Sequence, residues 1–343
     1  MLARIIFGVI LAFPLSPSRA ETGQDQAAPY KGKTITVITS TGVGGTYDLV
    51  ARLIARHMPR NIPGHPTMIV QNMPGGGNVL ATNYMYNIAP KDGTVIATIH
   101  SAMPLHQVLD GQGVRYDADK FNWLGSTGPQ NEVILVWHTA GIKTIQQARE
   151  KEVILGGTGA GSGIVIIPTV MNNLLGTRFK IVIGYRTSED VNLGMQRGEL
   201  QGRAFGFASI TTQHPDWLKE KKVAFLAQAG AKRETLLPDD VPLLTELARN
   251  EEQRRIMELI SSAPALGQPY IAPPGVPLDR LAILRQAFYA TLRDKAFLTD
   301  AERIHFDIHP MDAAETAQIV HQTTNVSAEV LAEAKAALGV SDR

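Results

Sequence analysis

The sequence predicts an α/β protein of two domains with a ligand cleft between them. Apolar strands alternate with segments of helical spacing, a pattern typical of mainly parallel sheets with right-handed crossovers. The pattern starts at Thr34 and restarts at Val153. Each start places a glycine-rich turn, residues 42–45 or 156–163, between a strand and a helix. Because ligands lie outside the carboxyl ends of parallel strands, the two turns should face each other, as in a clamshell binding protein.

The individual elements follow from apolar periodicity and from glycine and proline punctuation. The predicted strands are residues 34–40, 67–70, 94–99, 132–137, 153–155, 180–183, 200–207 and 223–227. The predicted helices are residues 48–58, a segment carrying Leu80, Tyr84 and Ile88, and residues 163–175, 188–197, 277–293, 295–303 and 312–338.

The N-terminus has the pattern of a cleaved secretory signal. Arg4 precedes an apolar run at residues 5–15, and Ser18-Arg19-Ala20 fits a signal-peptidase site, with cleavage after Ala20. Eleven apolar positions are too few to span a bilayer, which argues against a membrane anchor. We therefore expect residues 1–20 to be removed, residues 21–32 to be a flexible lead-in, and the mature protein to be soluble and exported.

Composition excludes several classes of function. The chain of 343 residues has 33 basic and 32 acidic residues; losing Arg4 and Arg19 leaves 31 basic residues and a net charge of −1. This balance gives no support for binding nucleic acid or anionic membranes. The absence of cysteine excludes disulfides and thiolate chemistry. His305 and His309 are four residues apart but lack further zinc ligands, so no metal and no cofactor are expected.

The glycine-rich turns do not meet the requirements of nucleotide binding. Tyr47 stands where a dinucleotide fingerprint needs its third glycine, and the second strand ends in Gln71-Asn72 instead of a ribose-binding acid. Neither turn has the lysine of a P-loop. A helix N-terminus still attracts anions through its free N–H groups, and a carboxylate suits such a site. The alternative is a tight turn without a ligand.

Three further residues leave alternatives open. Ser162 lies in GAGSG, which is not the nucleophile motif of serine hydrolases, so that activity is unsupported. Asp48 either stabilises the first helical turn or contacts a ligand group or water in the cleft. Arg203 either lies at the surface, as arginine usually does, or pairs with a ligand carboxylate.

Six motifs, in order along nearly the whole mature chain, resemble those of the tripartite tricarboxylate transporter substrate-binding proteins, also called Bug-type receptors. They are GGTYD at residues 44–48 with Ala51-Arg52, IVQNMPGGG at 69–77, PKDGT at 90–94, GGTGAGS at 156–162, Tyr185-Arg186 with Gly198-Glu199-Leu200, and IAPPGVP at 271–277. Departures from the family pattern are Val43, residues 78–81, Lys91 and Thr187.

The resemblance implies a type II periplasmic binding protein fold. Domain 1 would comprise residues 33–132 plus 268–343, and domain 2 residues 133–267, joined by two crossovers. It also implies a monomeric receptor in the periplasm of a Gram-negative bacterium. Such a receptor delivers a small organic carboxylate to the large and small membrane subunits of a tripartite transporter. The open alternatives are a receptor that reports to a membrane sensor kinase and an enzyme on the same fold.

The resemblance also implies which residues hold the ligand. In the family, both glycine turns bind the carboxylate through backbone N–H groups, hydroxyls and ordered waters. The corresponding candidates are Gly44, Gly45, Tyr47, Asp48, Asn78 and Ser101 in domain 1, and Thr158, Gly161, Ser162 and Tyr185 in domain 2. No catalytic residue is expected.

Overall fold

A computed structural model describes residues 28–159 and 163–340, which contain two five-stranded sheets. The expected signal peptide and most of the lead-in, together with Gly161 and Ser162, lie outside the described residues. The strands are β1 Thr34–Thr39, β2 Thr67–Asn72, β3 Val95–Thr98, β4 Asn122–Ser126, β5 Glu132–Trp137, β6 Val153–Gly157, β7 Phe179–Ile183, β8 Gly202–Gly206, β9 Val223–Ala229 and β10 Pro269–Ala272.

Helices cover the sheets. They are α1 Thr46–His57, α2 Val79–Asn87, α3 Met103–Leu109, α4 Ile145–Glu150, α5 Gly163–Val170, α6 Ser188–Gln196, α7 Phe207–Gln213, α8 Pro215–Lys219, α9 Glu251–Ala265, α10 Leu278–Leu292, α11 Lys295–Arg303, α12 Ala313–Thr324 and α13 Ala328–Leu338. None of the helices in the described part of the chain combines the length and the apolar character that a membrane span requires.

Each sheet combines a parallel part with antiparallel strands. The first has the order β2-β1-β3-β10-β4, with β1 parallel to β2 and β3, and β10 antiparallel to both of its neighbours. The second has the order β7-β6-β8-β5-β9, with β6 parallel to β7 and β8, and β5 antiparallel to β8 and β9. The two-domain α/β fold is confirmed.

The sheets are mixed, whereas the sequence predicts mainly parallel sheets. The difference arises at the two strands by which the chain changes sheets. The chain leaves the first sheet after β4 and enters the second at β5, then returns through α9 to β10. Both entering strands run against their neighbours. The local apolar pattern does not report this direction, because β5 and β10 are buried along their whole length and resemble the continuous apolar run of a buried parallel strand.

Separate apolar cores stabilise the two sheets. The core beside the first sheet contains Tyr270 and Phe288, whose ring centroids are 4.7 Å apart, together with Phe297 from α11. The core beside the second sheet includes Ala334 and Ala337 of α13, so the last helix packs on second-sheet elements. The predicted domains, residues 33–132 plus 268–343 and residues 133–267, stay a proposal. The contact of α13 with the second sheet concerns the part of that proposal that assigns the C-terminus to domain 1.

Several elements differ from those predicted. The segment 312–338 is two helices. The first, α12, ends at Thr324, and Ser327 caps the start of α13 by accepting a hydrogen bond from the Val330 N–H. Strands β4 and β10 and helix α3 are not predicted from the sequence. β10 has only four residues and begins with a proline, and α3 has only seven, so neither displays a clear period.

Candidate functional site

Two neighbouring cavities lie between the sheets, and both include Thr41, Gly42, His100 and Thr187 in their linings. The crossover chamber, about 110 Å³, is lined by Gln130, Glu132, Gly267 and Gln268 of the two crossover segments, and by residues 45–47, Ser101, Phe205, Ser209 and Gln213. The loop chamber, about 570 Å³, is lined by residues 74–78 from one side and by Thr158 and residues 184–186 from the other.

The domains touch around these chambers. The Thr46 hydroxyl in domain 1 donates to the Ser209 hydroxyl at 2.7 Å and accepts from the Gln213 amide at 2.6 Å. A Cβ added at Gly159 would lie 3.2 Å from the Gly77 backbone, so the turn before α2 nearly meets the glycine turn of the second domain. Both domains therefore line the same space.

Helix α1 begins at the cleft without a side-chain cap. Gly45 occupies the cap position, with φ −71°, and among the described residues no side chain accepts a hydrogen bond from the first turn of the helix. The first N–H groups of a helix have no partner within the helix and carry a partial positive charge. Residues 42, 43 and 45–47 line the crossover chamber. The start of α1 thus directs an anion-favouring helix end at the cleft.

Asp48 stabilises the glycine turn that precedes α1. Its carboxylate accepts hydrogen bonds from the Gly44 N–H at 2.9 Å, from the Asn72 amide at 2.9 Å, and from two atoms of the Arg52 guanidinium. Burial alone would raise the pKa of Asp48, but the hydrogen bonds from Arg52, Gly44 and Asn72 outweigh it and lower the pKa. The acid is held ionised and fully occupied by protein donors.

Tyr47 fixes the junction of α1 with the second crossover. Its hydroxyl donates to the Gly267 carbonyl at 3.1 Å and accepts from the Ser101 N–H at 3.2 Å, while its ring stacks on His100 with centroids 5.5 Å apart. Burial raises the pKa of Tyr47 and lowers the pKa of His100 to about 4. Both groups are therefore neutral at physiological pH.

The structure brings six of the ten predicted ligand residues to the two chambers. Gly45, Tyr47, Ser101, Asn78, Thr158 and Tyr185 line one chamber or the other. Gly44 and Asp48 are absent from the described linings, because the Gly44 N–H and the Asp48 carboxylate bond to each other. Gly161 and Ser162 lie outside the described residues. As ligand contacts, all ten stay predictions.

Helix α6 begins at the opposite side of the cleft and has a side-chain cap. The Thr187 hydroxyl accepts from the Asp190 N–H, and the Asp190 carboxylate accepts from the Thr187 N–H, which together form a capping box. A Cβ at Gly42 would lie 2.9 Å from the Thr187 methyl group, so this start packs directly against the turn before α1.

Arg203 lies neither at the surface nor in the described lining of the chambers. It is 0% exposed, donates to the Ser188 carbonyl and the Asn192 side chain, and stacks on the Phe205 ring at 3.8 Å. The surface alternative is wrong, because β8 turns this side chain into the second domain. There it holds the start of α6 in place. Pairing with a ligand carboxylate stays a prediction.

Glu132 is the main cleft residue that the sequence does not single out. It is the first residue of β5, is 7% exposed, and lines the crossover chamber. Burial raises the pKa of Glu132 to about 7, and the charge of Arg203 opposes this effect. The available signal was an acid opening a strand whose other five residues are apolar. Gln130, Gln268 and His100 are further lining residues without a motif.

The described residues contain no group of three or more histidines or acids placed to hold a metal. His305 lies in a left-handed turn with φ 55°, and the His309 N–H bonds to the Thr127 carbonyl.

Residues 50–335 match the model of the tripartite tricarboxylate transporter family receptor. The chain belongs to this family. It is 24% identical over 299 residues to a UPF0065 protein of Bordetella bronchiseptica, covering 84% of this chain and 79% of that protein. The family is one of solute receptors, and the resemblance stated from the motifs is confirmed.

Two solved structures share the fold. One is MatC from Rhodopseudomonas palustris with bound malate, with a TM-score of 0.70, 20% identity, and coverage of 87% of this chain and 98% of that one. The other is the periplasmic binding protein BugD, with a TM-score of 0.71, 19% identity, and coverage of 90% and 99%. At these identities the similarity establishes the fold of this receptor and not its ligand.

Proposed function

We propose that this receptor binds a small organic carboxylate in the cleft and delivers it to the membrane subunits of a tripartite transporter. The observation that carries the proposal is the uncapped start of α1, which adjoins the crossover chamber. A carboxylate there accepts hydrogen bonds from backbone N–H groups that have no partner within the helix. MatC, which shares the fold, was solved with malate.

The opposite domain completes the binding site. Thr158 and Tyr185 line the loop chamber from the second domain, and Asn78 lines it from the first domain. Contacts made to both domains at once favour the closed state, since only that state allows all of them. The closed, monomeric receptor is then the form that the two membrane subunits recognise in the periplasm, after signal cleavage at Ala20.

A thermal-shift screen with mono-, di- and tricarboxylates tests the proposal. A carboxylate at about 100 times its dissociation constant should stabilise the folded protein by roughly 2.7 kcal/mol and raise its melting temperature. Uncharged diamides of the same skeletons serve as matched controls and should give no shift. If no carboxylate shifts the melting temperature, carboxylate binding is excluded. Uptake of the identified ligand by cells with and without the receptor then tests delivery.

A further inference from the structure

The crossover chamber is acidic where the proposed anion site adjoins it. Its charged lining residues, among those described, are Glu132 and Glu189, and residues 45–47 at the start of α1 line the same space of about 110 Å³. Burial raises the pKa of Tyr47, and the charge of Glu132 adds to this effect, so the carboxyl group lies within electrostatic reach of the helix start. A carboxylate bound at α1 would therefore share one small chamber with a protein carboxylate.

Glu132 presents an acceptor atom that the described protein does not satisfy. Its Oε2 is buried and has no hydrogen-bond partner in the described part of the chain. A Cβ at Gly163 would clash with the same carboxyl group, so Glu132 fits closely against the backbone at the start of α5. An unsatisfied buried acceptor is costly, and such groups in native proteins normally have a partner or a functional reason.

The neighbouring crossover residues leave the chamber short of donors. The Gln268 side chain is 1% exposed, and its Oε1 is a second acceptor without a partner among the described residues. The Gln130 Nε2 is the one open side-chain donor that these residues add to the lining. A ligand carboxylate brings only further acceptors. A proton on the Glu132 Oε2 would convert one open acceptor into an O–H donor.

The basic residues on and after the strands that pair with β5 do not neutralise Glu132. On β8, the Arg203 guanidinium donates three hydrogen bonds to other acceptors of the second domain. Its charge opposes the effect of burial on the pKa of Glu132 without outweighing it. After β9, Lys232 is exposed and Arg233 pairs with Glu246. The charge of the buried carboxylate thus lacks a paired cation among these residues.

The other groups around the chamber do not supply a positive charge either. The Glu189 carboxylate lies 3.4 Å from the His214 ring nitrogen, and burial lowers the pKa of that histidine. Burial also lowers the pKa of His100 to about 4, so its ring is neutral at physiological pH. The helices α5 and α7 and the second crossover, residues 266–268, contain no charged side chain.

We propose that the receptor takes up a proton on Glu132 when it binds a carboxylate. The inference rests on the proposed function and concerns the regulation of the same site by pH. The proton comes from solvent and bonds to the Oε2 atom, so Glu132 loses its charge as the ligand brings its own. The protonated group then donates the hydrogen bond that the chamber lacks. Two carboxylates that share a site do not both stay ionised, because each raises the pKa of the other.

The direction of the pH effect follows from the pKa of Glu132. Burial raises this pKa to about 7, whereas carboxylic acids usually ionise near pH 4, so the proton goes to Glu132 and not to the ligand. Below pH 7 the group is already mostly protonated, and binding needs little proton uptake. Above pH 7 the uptake costs free energy, and affinity should fall by up to about tenfold for each pH unit.

Titration calorimetry of the wild-type protein tests the proposal with succinate, glutarate and benzoate as probes. For a probe that binds, we expect the dissociation constant at pH 8.5 to be at least about tenfold that at pH 6.5. At pH 8, the binding enthalpies in Tris and in triethanolamine, two buffers without an anionic group, should differ as uptake of about one proton requires.

Equal affinity at both pH values without proton uptake overturns the proposal and leaves carboxylate binding intact. If none of the three probes binds at either pH, the proposal also fails. Carboxylate binding fails with it only when the whole thermal-shift screen is negative.

Glu132→Gln imitates the protonated carboxyl group, because its amide is neutral and keeps an N–H donor. It should bind the same probe at pH 8.5 within about threefold of the wild-type affinity at pH 6.5, without proton uptake. Glu152→Gln, the same change at an exposed position, should keep the wild-type pH dependence. A folded Glu132→Gln protein that retains this pH dependence assigns the proton to another group and overturns the role of Glu132.

Discussion

The helices α1 and α6 both begin at the cleft, but they satisfy their first N–H groups in different ways. At α6, Thr187 and Asp190 form a reciprocal cap. At α1, the cap position is Gly45. The nearby Asp48 carboxylate accepts hydrogen bonds from Gly44, Asn72 and Arg52. The start of α6 has a side-chain cap. The start of α1 has none and is stabilised through the turn that precedes it.

An aspartate in the first helical turn has a different role in each helix. A carboxylate side chain near a helix N-terminus usually serves as a cap. Asp48 instead fixes the glycine turn that precedes its helix, and so holds an uncapped helix end in a defined position. We therefore expect α1 to provide the anion site and α6 to provide a rigid opposing wall.

The largest effect is expected for Asp48→Ala. The substitution removes the acceptor of the Gly44 N–H and one of the two acceptors of the Asn72 amide, which keeps its bond to the Thr41 carbonyl. Each hydrogen bond to a charged group contributes about 1.5–3 kcal/mol. We expect the free energy of unfolding to fall by about 3 kcal/mol in urea denaturation, and carboxylate affinity to fall as the turn loosens. The matched variant Asp190→Ala, at the start of α6, should cost about 1 kcal/mol or less.

The pH dependence of Asp48→Ala provides its control. The folded protein lowers the pKa of Asp48 below its usual value, so the carboxylate stabilises the fold at pH values above the unfolded pKa of about 3.9. That contribution disappears as the pH falls through the folded pKa. The difference between wild type and variant should therefore shrink in acid. A difference that stays constant down to pH 2 contradicts the role given to Asp48.

A smaller effect is expected for Thr187→Ala. Loss of an N-cap hydroxyl costs about 1 kcal/mol, and urea denaturation measures it. The substitution also removes the methyl group that packs against Gly42. Thr187→Ser retains the cap and loses only the methyl group, so it separates the two contributions. Because we place the anion site at α1, carboxylate affinity should change by less than about threefold in both variants. A tenfold loss in Thr187→Ala that Thr187→Ser does not share would move the anion site towards α6.

The sequence predicts the fold better than the site, for physical reasons. Strand and helix positions follow from apolar periodicity, and the two glycine turns follow from their composition. The direction of β5 and β10 depends on how the chain passes between the sheets, which local pattern does not encode. The split of segment 312–338 depends on the cap at Ser327, a polar residue that also fits an exposed helix face.

The site residues divide in the same way. Gly45, Asn78 and Thr158 lie in motif turns and are found by reading those turns. Glu132, Gln130 and Gln268 come from two crossovers far apart in sequence and meet only after folding. The direction of the Asp48 side chain is likewise decided by Asn72, which pairing of β1 with β2 brings alongside.

The central claim is that the open start of α1 holds the ligand carboxylate, and Gly45→Asp tests it most directly. Gly45 has a φ of −71°, and an added Cβ would meet only the Gly42 carbonyl oxygen at 3.7 Å, so an aspartate fits. It would cap α1 with a carboxylate of its own. We predict stability equal to or a few tenths of a kcal/mol above wild type, with at least tenfold weaker binding of the carboxylate found in the screen. Gly45→Ala should bind nearly normally. Unchanged affinity in a folded Gly45→Asp protein would contradict the account.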